Sequence, residues 1–119
     1  METNEIANNL VAWYNAGDEE RCYKELYSPN IVSIESSNEF PPAEGMEAVA
    51  KKGEWWNENF EVHSTKASAP TVANNWFSIR FDMDTTHKPS GQRSQSSEIG
   101  VFRVENGKIV KEQFFYDQE

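Results

Sequence analysis

The sequence has little cysteine and no long hydrophobic run. Cys22 is the single cysteine among 119 residues, and one thiol cannot form an internal disulfide, so nothing points to an oxidising compartment. No apolar stretch approaches the ~20 residues that span a membrane, and Met1 leads into Glu2 and Glu5 rather than a basic and then apolar leader. We therefore predict a cytoplasmic protein that does not cross a membrane.

Basic residues and histidines are also scarce. The sequence contains eleven Lys and Arg and twenty Asp and Glu, which gives a net charge of −9. An electrostatic field of that sign repels phosphate backbones. The two histidines, His63 and His87, are far short of a metal site, and the sequence has no glycine-rich phosphate loop or nucleophile elbow. Nucleic acid, metal and cofactor binding are therefore not expected.

Large aromatic residues are abundant: seven Phe, four Trp and four Tyr. Such side chains fill a core with few residues and equally well line a ligand cavity. The length allows one domain, residues 1–119, with a core large enough to need no disulfide.

Helical periodicity is confined to the first half of the chain. Apolar spacing predicts a helix over residues 3–16, a second helix that follows the N-cap Asp18 and ends before Pro29, and a third over residues 45–59. Apolar alternation and turn signals then predict a loop at 36–44 and strands at residues 31–35, 62–72, 76–84, 93–104 and 108–117. Within residues 76–84, Phe77, Ile79, Phe81 and Met83 share one face.

The last two strands form a hairpin whose turn sets the faces. A three-residue turn at 105–107 places Val104 opposite Lys108 and Glu112 opposite Gly100, whereas a two-residue turn would flip the last strand. The three-residue turn predicts one face made of Glu98, Gly100, Phe102, Val104, Val110, Glu112, Phe114 and Tyr116. The other face then carries Ile99, Val101, Arg103, Ile109, Lys111, Gln113 and Phe115.

Several short segments together resemble the SnoaL-like family of the nuclear transport factor 2-like superfamily. They are WYNAGD at 13–18, YSPN at 27–30, GMEAV at 45–49, GEWW at 53–56, THKPSG at 86–91 and FRVENGKIV at 102–110. The resemblance implies an α+β fold: a cone-shaped, curved antiparallel sheet wrapped around three N-terminal helices. It also implies a cavity inside the cone and a homodimer formed through the outer sheet face.

Members of this superfamily include ketosteroid isomerases, polyketide cyclases, epoxide hydrolases, dehydratases and binding modules, so the fold alone decides little about function. The positions that carry the isomerase residues hold Leu10, Ser36 and Gly100 here. None of these supplies a base or a hydrogen-bond donor suited to that reaction, so a steroid isomerase mechanism is excluded. The cyclase acid position also falls on Gly100.

Glu98 and Glu112 remain the candidate acids. If they are diagonal neighbours with Gly100 leaving space between them, they lie ~7–8 Å apart at the backbone and form an acid/base pair in an aromatic pocket. Glu35 is a third candidate. The alternative is that these acids are solvated or paired at the rim.

We predict a small apolar ligand bound in the cone, among Trp56, Phe77, Ile79, Phe81, Phe102, Phe114 and Tyr116. Glu98 would serve as acid or base in an isomerisation, cyclisation or dehydration, with Tyr116 or Glu112 donating a hydrogen bond. Two other functions stay open: a non-catalytic dimeric module whose core is filled by its own side chains, and a protein that binds a partner through the outer sheet face.

Overall fold

The computed structural model describes residues 1–117. Three helices, α1 (Thr3–Asn15), α2 (Glu19–Leu26) and α3 (Met46–Asn59), lie against one curved, unclosed sheet. The strands are β1 (Tyr27–Ile34), β2 (Ala43–Glu44), β3 (Phe60–Ala67), β4 (Thr71–Ala73), β5 (Trp76–His87), β6 (Gln92–Glu105) and β7 (Lys108–Phe115). This is the predicted α+β architecture. No helix within the described residues is long and apolar enough to cross a membrane.

The helices begin at the predicted positions for identifiable reasons. A capping box between Glu2 and Glu5 starts α1, and the Asp18 carboxylate accepts from the Arg21 N–H at the start of α2. Gly17, at φ 81°, takes the left-handed conformation between them. The Cys22 thiol lies in the core, buried against α1.

The predicted extension of α2 up to Pro29 is wrong. Tyr27 already starts β1, and Pro29 lies within that strand. The parallel pairing of β1 with β7 runs through Tyr27 and resumes at Val32, with a register shift between them. Pro29 falls in the shift, where the missing N–H removes no ladder hydrogen bond.

Three strand boundaries also differ from the predictions. The segment 62–72 is two strands, β3 and β4, separated by a break that contains Pro70. The loop 36–44 ends in the short strand β2, which pairs with Val32 and Ser33 of β1. Strand β5 continues to His87, so its hairpin with β6 is longer than the alternation predicts.

The sheet order is β2-β1-β7-β6-β5-β3, with β4 paired to β5. The inward face of β5 carries Phe77, Ile79 and Phe81, all buried, which confirms the alternation. These side chains pack with Ile6 and Leu10 of α1 in one hydrophobic core. The core therefore fills the space between the helices and the concave face of the sheet.

The predicted register of the β6–β7 hairpin is wrong. Glu105 pairs with Lys108, so the turn has two residues, Asn106 and Gly107, both with positive φ. A bulge then places Val104 opposite Ile109 and Arg103 opposite Lys111. The bulge restores the predicted faces from Lys111 onward, but it turns Ile109 into the core, fully buried, instead of outward.

Candidate functional site

Glu112 is buried, with 2% of its surface exposed, and both of its carboxylate oxygens are occupied. The Tyr27 hydroxyl donates to Oε1 at 2.5 Å, and the Ser33 hydroxyl donates to Oε2 at 2.7 Å. Burial raises the pKa of Glu112, while the two hydrogen bonds and the charge of Lys52 oppose the rise. Glu112 is thus the centre of a hydrogen-bond group made of protein side chains, and its burial keeps a ligand from its oxygens.

Lys52 of α3 joins this group to a second acid, Glu35. Its ammonium donates to the Ser33 hydroxyl and, at 2.8 Å, to Oε2 of Glu35. The Tyr116 hydroxyl donates to Oε1 of Glu35 at 2.9 Å. Glu35 therefore lies inside the site, held by an ion pair whose side chains are only 23% and 20% exposed, rather than in solvent at a strand end.

Glu98 differs from the other two acids because it is half-buried and unpaired. Within residues 1–117, no hydrogen bond or ion pair reaches its carboxylate. Burial raises the pKa of Glu98 to about 7, the charges of Glu35 and Glu112 add to the rise, and Lys52 opposes it. At neutral pH this carboxyl is therefore divided between its acid and base forms, as general acid–base catalysis requires.

The predicted spacing of Glu98 and Glu112 is wrong. Gly100 lies opposite Phe114, and Phe102 lies opposite Glu112. The two acids are consequently four positions apart along the sheet, about 13 Å at ~3.3 Å per residue, not diagonal neighbours. The two carboxyls therefore interact through their charges and do not share a proton.

Gly100 does not leave open space. A Cβ at this position would lie 2.9 Å from a ring carbon of Phe102 and 3.0 Å from one of Phe81. Phe102 stacks on Phe77 with ring centroids 4.7 Å apart, and Phe114 meets both Phe81 and Phe102 edge to face. The aromatic rings themselves occupy the space beside Gly100.

The seven residues predicted to line a pocket thus fall into two groups. Phe77, Ile79, Phe81 and Phe102 are core residues that pack on one another. Phe114, Tyr116 and Trp56 are half-buried; Trp56 stacks on Phe60 with centroids 4.1 Å apart. Two depressions on the described surface lie elsewhere, one along α2 and one between the N-terminus and the β6–β7 turn.

Lys52, Tyr27 and Ser33 were not predicted as site residues. Lys52 carried a usable signal, because it lies three residues after Val49 and four before Trp56, on the inward face of α3. A lysine on an apolar helix face needs a partner, which points to a nearby acid. Tyr27 and Ser33 carried no such signal, since their partner Glu112 lies far away in sequence.

The histidines lie outside this site. His63 is exposed and bonded to the Thr86 hydroxyl, and His87 contacts Ser90 and the ring of Phe60. Across the described part of the chain, no three His, Cys, Asp or Glu side chains are grouped to hold a metal ion. Burial raises the pKa of the Cys22 thiol to about 12, so it is an unreactive core group.

The fold and the site define a cone-shaped α+β protein with a half-buried acid beside aromatic rings. A family profile described as the SnoaL-like domain matches residues 1–116, and the chain belongs to this family. The positions aligned with isomerase residues have structural roles here: Leu10 is in the core, and the Ser36 hydroxyl donates to the Phe114 carbonyl at 2.7 Å.

Solved structures agree with this assignment. A Mesorhizobium loti protein provisionally labelled a SnoaL-like polyketide cyclase is 35% identical over 98% of this chain and 100% of its own, with a TM-score of 0.92. A similarly labelled Jannaschia protein is 20% identical over 98% of this chain and 87% of its own (TM-score 0.75). A Catenulispora acidiphila protein with a ketosteroid isomerase-like fold, in complex with trimethylamine, is 15% identical over 97% of this chain and 87% of its own, with a TM-score of 0.76. A comparison with curated proteins gives no match.

Proposed function

We propose that this chain is a cofactor-free SnoaL-like protein that binds a small apolar molecule beside Glu98 and uses that carboxyl as an acid or base. The state of Glu98 carries the proposal: it is half-buried, unpaired within residues 1–117, and has a pKa of about 7. The provisional cyclase labels of its relatives are consistent with proton transfer at carbon. Isomerisation, cyclisation and dehydration all need such a group.

The roles of the neighbouring residues follow from their contacts. Phe81 lies opposite Glu98 on β5 and belongs to the core, so the surroundings of this carboxyl are apolar on that side. The Tyr116 hydroxyl donates to Glu35, which also accepts from Lys52. Because Lys52 would still pair with Glu35, the Tyr116 hydroxyl can turn and donate to a ligand oxygen instead. Glu112 stabilises the site through its hydrogen bonds with Tyr27 and Ser33 and does not contact the ligand.

Kemp elimination of 5-nitrobenzisoxazole tests this role without knowledge of the natural substrate. A carboxylate base removes the C3 proton, the N–O bond breaks, and a coloured cyanonitrophenolate forms. We expect the rate to rise with pH through a midpoint of about 7, because the carboxylate is the active form. Glu98→Gln should lower the rate about 100-fold.

Glu105→Gln is the matched control, because Glu105 ends the same strand with a 56% exposed side chain and only a 3.9 Å ion pair to Arg103. Its rate should equal that of the unmodified protein. Equal rates for Glu98→Gln and the unmodified protein would contradict the acid/base role of Glu98. A wild-type rate no higher than the rate with acetate as the base at the same pH would also contradict it.

A second candidate function is a non-catalytic binding or assembly module with a self-filled core. The tight contacts of Phe81 and Phe102 around Gly100 favour it, since they occupy part of the predicted cavity. A crystal structure of the protein with any co-purified molecule separates the two. Density beside Glu98 supports the first function, whereas rings closed over Glu98 support the second.

We also propose a homodimer formed through the outer sheet face. Ile99 and Phe115 are neighbours across β6 and β7 and are 51% and 47% exposed, and Trp76 on β5 is 41% exposed. Adjacent exposed apolar side chains on a sheet are typical of a subunit contact.

A further inference from the structure

Lys52 lies at the junction of the two hydrogen-bond groups, and the proposed reaction gives it no role. Two of its three ammonium protons are donated, one to Ser33 and one to Glu35. Its Nζ also lies 5.6 Å from the centroid of the Phe114 ring. A lysine whose side chain is 23% exposed and which bridges two separate elements is held in one orientation.

The contacts of Ser33 extend this bridge to Glu112. The Ser33 hydroxyl accepts from Lys52 and donates to Glu112, which also accepts from Tyr27. One chain of donors and acceptors therefore runs from Tyr27 through Glu112, Ser33 and Lys52 to Glu35, and joins β1, β7 and α3. Since every link has a complementary donor and acceptor, the chain fixes the position of Lys52 relative to the sheet.

We propose that Lys52 is a positioning residue of the Glu98 site, which holds Glu35 and Glu112 in place and balances the charge of the acids that surround Glu98. The inference rests on the proposed acid/base role of Glu98. It adds a residue to the site that does not itself exchange a proton with the ligand.

The pairing of Ile99 with Phe115 brings Tyr116 next to Glu98, and the Tyr116 hydroxyl donates to Glu35, which Lys52 holds. The charged and titratable groups that act on Glu98 come from α1, α3 and the ends of β1 and β7. They are Tyr14 of α1, Glu35 after β1, Lys52 of α3, and Glu112 and Tyr116 in and after β7. Lys52 is the one cation among these described groups. Without it, Glu98 would face two acids and two phenols, and its acid form would be favoured further.

Titration of Glu98 by carboxyl ¹³C NMR in Lys52→Met tests the proposal. We expect the midpoint of Glu98 to rise by about half a pH unit or more, because an attractive charge is lost. Lys52→Arg should restore a midpoint near the wild-type one. Lys51→Met is the matched control. Lys51 is the preceding residue of α3, its side chain is 73% exposed, and within residues 1–117 its ion pair is with Glu47 at 3.7 Å.

An unchanged Glu98 midpoint in folded Lys52→Met would overturn the proposal, and so would an equal rise in Lys51→Met. If Lys52→Met does not fold, the wild-type ¹⁵Nζ resonance of Lys52 replaces it as the readout. That resonance should shift with the midpoint of Glu98, and a constant shift across pH 5–9 would overturn the proposal. A wild-type Glu98 that titrates at its ordinary value instead refutes the proposed function itself, so the two failures are distinguishable.

Discussion

At the scale of single residues, Glu98 and Glu112 show how different surroundings give two identical side chains different protonation behaviour. Burial raises the pKa of both carboxyls. Glu112 accepts hydrogen bonds from Tyr27 and Ser33, so its ionised form is compensated and its proton is not accessible to a ligand. Glu98 has no such donor among residues 1–117, which leaves it free to exchange a proton near neutral pH.

Gly100 provides a test of the packing beside Glu98. In Gly100→Ala the new methyl group would press on Phe102 and Phe81, and we expect a loss of about 1–3 kcal/mol in unfolding free energy, measured by urea denaturation. Gly53→Ala is the control, because Gly53 is an exposed residue of α3 with no atom within 4 Å of a new Cβ. The unfolding free energy of Gly53→Ala should rise by up to about 1 kcal/mol. A Gly100→Ala protein as stable as the wild type would mean that the rings leave space there.

Alternation along β5 and β6 predicted that Phe77, Phe81 and Phe102 face inward, and all three are buried. It placed Glu98 on the same face, where its catalytic role stays a prediction. It did not identify Tyr27 or Ser33, which lie 85 and 79 residues from Glu112. Contacts of that separation depend on the parallel pairing of β1 with β7, which no local pattern reveals. Site residues contributed by one hairpin are therefore more predictable than those contributed by distant elements.

At the scale of elements, the β6–β7 hairpin shows which part of a register a sequence can define. Asn106 and Gly107 are typical of a two-residue turn, and both adopt the positive φ that such a turn needs. That turn alone would have inverted the faces of β7. The bulge at Ile109 compensates, so Glu112 and Phe114 face inward as expected, and Ile109 also faces inward although an outward position was expected. The Asn-Gly pair indicates a two-residue turn from the local sequence alone, whereas the compensating bulge depends on packing across the whole sheet.

At the scale of the whole molecule, the exposed patch of Ile99, Phe115 and Trp76 predicts the oligomeric state. Ile99→Lys adds a charge beside Phe115 in this patch and should shift the protein from dimer to monomer in sedimentation velocity. Asn8→Lys on α1, an exposed position on the opposite side of the sheet, should leave the dimer unchanged. A wild-type protein that sediments as a monomer at micromolar concentration would contradict the proposed dimer.

The proposed function requires that the Glu98 carboxyl exchange a proton at neutral pH. Its side-chain ¹³C resonance, assigned by its absence in Glu98→Gln, measures this directly in the wild-type protein. We expect a titration midpoint of about 7. A midpoint near the ordinary value of 4.5 would show that the carboxyl is solvated, and it would contradict the proposed role.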